Sequence, residues 1–101
     1  MYDIKNLAKL KRLDEKNPET MKAFWAFDKA AFAPGAIDQL NKQLMAVAVA
    51  LTTQCPYCIA LHVKSARDAG ATDQMLAETA TVAAAMRAGG SITHATHLFQ
   101  D

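Results

Sequence analysis

The chain has 101 residues, a net charge of +1, 51% hydrophobic residues and 21% charged ones, a balance that argues against both a disordered and a membrane-embedded chain. The near-neutral charge leaves no electrostatic footprint for nucleic acid. The basic residues near the start (Lys5, Lys9, Lys11, Arg12 and Lys16) alternate with Asp3, Asp14 and Glu15, as on a solvated helix face.

Ile4, Leu7, Leu10 and Leu13 predict a short amphipathic helix over residues 3 to about 14. Asn17-Pro18 then supplies an N-cap and a proline at the first helical position, so a second helix is expected from Pro18 to about Ala33. Its apolar residues Met21, Phe24, Trp25, Phe27 and Phe32 cover more than one face. Packing into a thick core is the ordinary explanation; a partner subunit or a pocket lid is the other. Ala33-Pro34-Gly35 breaks this helix, and Asp38 caps the next. Leu40, Leu44, Val47, Ala48 and Leu51 recur at three and four, so residues 38 to about 53 form a buried helix with Met45 and Val49 widening its apolar face.

Cys55-Pro56 starts the fourth helix, with Cys55 at the N-cap, Pro56 at N1 and Cys58 at N3, ending near Ala69 with Gly70 as a left-handed cap. Thr72 caps a further helix over 73 to about 88, which is expected to turn Met75, Leu76, Thr79, Val82, Ala83 and Met86 inward. Gly89-Gly90 either separates two helices or bends one long one, and helical spacing resumes from Ser91 to Phe99. No strand run is visible, so the fold class is all-α, a single-domain bundle of about six helices. Alanine supplies about a fifth of the residues and leaves few large side chains for a core, so burial against copies of the same chain is expected. The longest apolar run, Leu44 to Leu51, is too short to span a bilayer. No apolar signal region begins the chain, so a cytoplasmic protein with no membrane partner is expected.

The chemistry concentrates in Leu51 to His62, LTTQCPYCIALH, which contains both cysteines. In a reducing compartment two cysteines three apart point to catalytic, redox-sensing or metal use rather than to a structural disulfide. The reactive form of cysteine is the thiolate, and a helix N-terminus favours that charge by only about 0.3–1 kcal/mol, so a base is needed as well. His62 lies four residues after Cys58, on the same helix face, where a thiol–imidazole pair can form. Cys55, three residues before Cys58, lies on the same side and within disulfide range. The three residues thus supply nucleophile, base and resolving thiol. A zinc site is the rival reading, with Cys55, Cys58 and His62 as ligands and His94 or His97 as the fourth. His94 and His97 are otherwise end-of-helix residues near the dipole, or His94 lines the thiol pocket, from its own chain or a neighbour's. Tyr57 either donates a hydrogen bond near the site or simply packs.

The run KQLMAVAVALTTQCPYCIALHVKSARDAGATDQMLAETATVAAAMRAGG resembles the core of the carboxymuconolactone decarboxylase-like superfamily, in its alkylhydroperoxidase D (AhpD)-like branch. The resemblance extends from about Ala33 to His97. It rests on Cys-x-x-Cys-x-x-x-His followed by Ala-Gly-Ala-Thr and a terminal Gly-Gly. It implies an all-α homo-oligomer, a trimer or hexamer, that reduces peroxides through a cysteine disulfide cycle. Cys58 would match the peroxide-attacking cysteine, Cys55 the resolving cysteine and His62 the relay base. No bound cofactor is implied. Electrons would come from an external dithiol donor, a thioredoxin-like or lipoyl protein.

The residues alone leave the order of the two thiols open, because Cys55, nearer the helix end, is placed to meet an external reductant first. The family's relay glutamate, twelve residues before the first cysteine, is replaced here by Gln43. A glutamine can orient His62 but cannot take its proton or offset its charge. The replacement makes a redox-sensing or disulfide-exchange protein with weak peroxidase activity the alternative function. A zinc-stabilised oligomeric helical module is the third.

Overall fold

The computed structural model describes residues 2–101. A 3-10 helix, Ile4–Lys9, leads into α1 (Leu10–Lys16), followed by α2 (Pro18–Phe32), α3 (Gln39–Thr53), α4 (Pro56–Asp68) and α5 (Asp73–His94), and a 3-10 turn, Ala95–Leu98, closes the order. There is no strand among the described residues. The single amphipathic helix expected at the start is therefore half 3-10. Ile4, Leu7, Leu10 and Leu13 recur strictly every three residues, which is the 3-10 period rather than the α period. Asp3 caps this turn by accepting the Lys5 N–H at 2.9 Å.

The core sits where α3, α4 and α5 meet. Val47, Ala66 and Ala71 are its buried centre, with Leu40, Leu44, Leu51, Val63 and Leu76 packed around them. Ala66 is fully buried, and its single methyl lets α4 approach α3 closely. Asp38 and Thr72 cap α3 and α5 through the N–H groups of Asn41 and Met75. Gly70 takes the left-handed conformation after α4, at φ +109°. Gly89 and Gly90 do not interrupt α5, which runs through both to His94.

The bend that positions the cysteines is made by Gln54, which ends α3 with a φ of +58°. A left-handed residue at a helix C-terminus redirects the chain sharply, and glutamine occupies it here at a cost that glycine would avoid. The following residue, Cys55, is then free to cap α4. Arg87 of α5 ties down the same corner by donating to the Thr52 carbonyl at 2.7 Å.

Two packing expectations are corrected. Val82 and Met86 are turned outward, 62% and 73% exposed, and Met45 and Val49 of α3 are exposed too. A three-helix seam built on alanines is narrow, so only part of each broad apolar face reaches it. Likewise, α2 is not packed into a thick core: it has no buried residue, and Phe24, Trp25 and Phe27 are exposed. It is held by Trp25, whose indole N–H donates to Asp14 at 2.8 Å, and by its C-terminal junction with α3. The chain is consequently elongated. Its radius of gyration is 17.1 Å, against about 13 Å for a compact domain of 100 residues.

Candidate active site

The start of α4 has the geometry its sequence predicts. Cys55 is the N-cap and its sulfur accepts the Cys58 N–H at 3.2 Å, with Pro56 at the first helical position. The two sulfurs are in disulfide contact and the Cα atoms are 5.3 Å apart. One turn further along α4, His62 joins Cys58 in lining a cavity of about 440 Å³. Phe32, Ile37, Met45 and Val49 make its other walls predominantly apolar, and Lys42 is the charged residue among those that line it.

Gln43 stands behind the histidine. It is the buried polar residue of the core, 7% exposed, and its Oε1 lies 2.8 Å from His62 Nδ1. With that oxygen as acceptor, Nδ1 carries the proton, and the neutral ring keeps its lone pair on Nε2. The glutamine thus holds the ring's orientation while remaining uncharged. On the ring face, Phe32 stacks against His62 with centroids 5.1 Å apart and planes inclined by 14°. Phe32 comes from the last turn of α2, and Lys42 secures that turn by donating from Nζ to the carbonyls of Ala31 and Ala33. A lysine reaching back to the last carbonyls of a helix satisfies groups that have no partner within the helix.

Phe32 and Lys42 are the residues that sequence reasoning missed. Phe32 was visible only as one of several apolar residues of α2. The position of Lys42 beside Gln43 gave no sign that it would reach α2. By contrast, Tyr57 does not line the cavity: its hydroxyl accepts from Asn6 Nδ2 at 2.9 Å and its ring lies 4.8 Å from that of Tyr2. Nor does His94 of the same chain, which lines a separate groove with Met86, Gly89 and Gly90 and has its ring 5.4 Å from that of His97. A zinc site shared between that pair and the cysteines is not assembled: His94 lines a different groove from Cys58 and His62, and among the described residues no group of three or more His, Cys, Asp and Glu side chains is placed to hold a metal ion. A larger cavity, about 770 Å³, lies between α3 and α5 and is lined by neither cysteine nor histidine. On the outer side of α4, Lys64 pairs with Asp68 at 2.9 Å, and that contact raises its ammonium above the usual lysine pKa without bearing on the site.

The chain is thus an all-α protein that presents a Cys-x-x-Cys pair in disulfide contact at a helix N-terminus, with a histidine one turn on. Residues 18–101 match the carboxymuconolactone decarboxylase family, and the chain belongs to that family. It is 56% identical over 73 residues to uncharacterized protein 4 in the cox locus of Paracoccus denitrificans, a match covering 72% of this chain and 66% of that one. An uncharacterized protein of Cupriavidus necator is 32% identical over 83 residues, 82% of this chain and 74% of its own. Among solved structures, a carboxymuconolactone decarboxylase family protein from Legionella pneumophila, crystallised in its apo form, superposes with a TM-score of 0.76 at 34% identity, covering 89% of this chain and 80% of that one. A Methanobacterium thermoautotrophicum protein superposes with a TM-score of 0.81 at 35% identity, covering 85% and 97%. The chain's match to the Paracoccus protein thus spans just under two thirds of that relative's length.

Proposed function

We propose that the chain is a thiol-dependent peroxidase in which Cys58 attacks the peroxide, Cys55 resolves the product and His62 handles the proton. The observation that carries this reading is the shared cavity of Cys58 and His62, with Cys55 in disulfide contact behind it and Gln43 fixing the imidazole. His62 Nε2 takes the Cys58 proton. The thiolate attacks one peroxide oxygen, the O–O bond breaks, and the departing alkoxide or hydroxide leaves as alcohol or water with that proton. Cys58 is then a sulfenic acid. Cys55 displaces its oxygen as water, and the disulfide forms. An external dithiol, on a thioredoxin-like or lipoyl protein, reduces the disulfide and is itself oxidised. No bound cofactor is required.

A disulfide-exchange or redox-sensing role with weak peroxidase activity is the second reading, favoured by the uncharged Gln43. A mass-resolved thiol count before and after one equivalent of peroxide tests both. The peroxidase reading expects both thiols lost within seconds, with the mass lowered by two hydrogens. Slow loss, combined with fast equilibration against a dithiol, selects the exchange reading. Thiols that survive peroxide sink the redox assignment altogether.

The elongated protomer is proposed to complete its burial in a homo-oligomer, a trimer or hexamer. Two observations support this. Phe24, Trp25 and Phe27 on α2 and Val82, Met86 and Ile92 on α5 are exposed. Gly89 and Gly90 have nothing within 4 Å of where a side chain would begin. Apolar area of this extent is ordinarily covered in solution. Light scattering coupled to size exclusion is expected to give a multiple of the 10.9 kDa chain mass; a monomer at micromolar concentration would refute the assembly.

A further inference from the structure

The two thiols face different surroundings. Cys58 lines the apolar cavity with His62, whereas Cys55 does not. Of the two residues between them, Tyr57 is turned to the N-terminal segment, where Asn6 donates to its hydroxyl at 2.9 Å and Tyr2 packs against its ring at 4.8 Å. The 3-10 helix Ile4–Lys9 packs on α4 at this point. Cys55 is half-buried even though Gln54 and Pro56 on either side of it are exposed. The segment also lies before the family-matched residues, which begin at Pro18.

We propose that residues 2–9 form a strap beside the disulfide that selects the electron donor, admitting slender dithiols to Cys55 and hindering broad protein surfaces. The proposal rests on the redox reading of the site and adds to it the surface at which reduction occurs. Exchange requires a donor thiolate to approach one sulfur from the side opposite its partner, so access around the attacked sulfur controls the rate. The donor thiolate attacks Cys55 Sγ, forming a mixed disulfide, and Cys58 leaves as a thiolate at the helix N-terminus. The donor's second thiolate then attacks its own sulfur in the mixed disulfide and releases Cys55. The protein gains the two electrons that the donor loses as it closes its own disulfide. A small or long-armed dithiol needs only a narrow approach. A folded protein dithiol must bring a face against the start of α4, where the strap and Tyr57 sit.

The test starts from protein oxidised with diamide, so peroxide turnover does not enter it. Reduction is followed by quenched alkylation and mass counting, with dithiothreitol and with a thioredoxin as the two donors. In a chain lacking residues 2–9, the thioredoxin rate constant is expected to rise about tenfold or more and the dithiothreitol rate constant by less than about twofold. Asn6→Ala, which removes one tether, should move both in the same sense by a smaller factor. It decides the matter alone if the shortened chain loses its helical circular dichroism. Equal changes with the two donors, or an unchanged or slower thioredoxin reaction, overturn the strap and leave the redox reading standing. Failure of diamide to form the Cys55–Cys58 disulfide would instead remove that reading itself.

Discussion

Cys58→Ser is expected to lower peroxide consumption by roughly a thousandfold or more, to the uncatalysed background, because a hydroxyl in its place has neither the acidity nor the polarisability of a thiol. Cys55→Ser should behave differently. It consumes one equivalent of peroxide and stops at a Cys58 sulfenic acid, which a dimedone adduct detects by mass. The asymmetry follows from the structure, in which only Cys58 shares the apolar cavity with His62, while the Cys55 sulfur caps the helix by accepting the Cys58 N–H. If the roles were reversed, the adduct would appear on Cys55 in the Cys58→Ser variant. Retained turnover in both variants would end the two-thiol mechanism.

Gln43→Glu is expected to raise the rate of peroxide-driven disulfide formation by about tenfold or more. A carboxylate 4 Å from an imidazolium is worth about 4 kcal/mol at an effective dielectric of 20, and about 1.4 kcal/mol surviving desolvation gives that factor. The wild-type geometry already sets the distance, 2.8 Å from Gln43 Oε1 to His62 Nδ1, so the carboxylate needs no rearrangement to reach the ring. It brings a cost. Position 43 is 7% exposed, and a carboxylate there is stable only when the imidazole opposite carries the proton. Thermal stability should therefore fall while the thiol becomes more reactive. Stopped-flow oxidation and thermal denaturation of the same variant check both halves. An unchanged or lower oxidation rate in a variant that retains its helical signal would show that charge at position 43 is not part of proton handling.

These expectations depend on a site whose parts differ in how far the chain must travel to bring them together. Cys55, Pro56, Cys58 and His62 lie within two helical turns, and caps and periodicity act over that range. Their arrangement at the start of α4 was therefore legible from Cys-Pro-x-Cys-x-x-x-His alone. The Gln43–His62 contact spans nineteen residues and two helices; only the family resemblance pointed to that position, and only the fold supplied the distance. Phe32 comes from a third helix, and its place on His62 depends on Lys42 reaching the last carbonyls of α2. No local pattern encodes that reach. Tyr57 shows the opposite case, since its position between the cysteines suggested the cavity and its contacts turned out to be with the N-terminal segment.

The sequence by itself determined the all-α class, the caps at Asp38, Cys55 and Thr72, the left-handed Gly70 and the register of the two thiols with the histidine. Each is settled by the chemistry of a few adjacent residues. Tertiary structure decided which apolar faces are covered. Val47 and Ala66 meet in the seam, whereas Val82 and Met86, equally apolar and equally periodic, face outward. Hydrophobic spacing marks a face as coverable. Which neighbour covers it depends on how closely α3, α4 and α5 can approach, and the small side chains that permit that approach also make the seam too narrow to hold everything the sequence offers it.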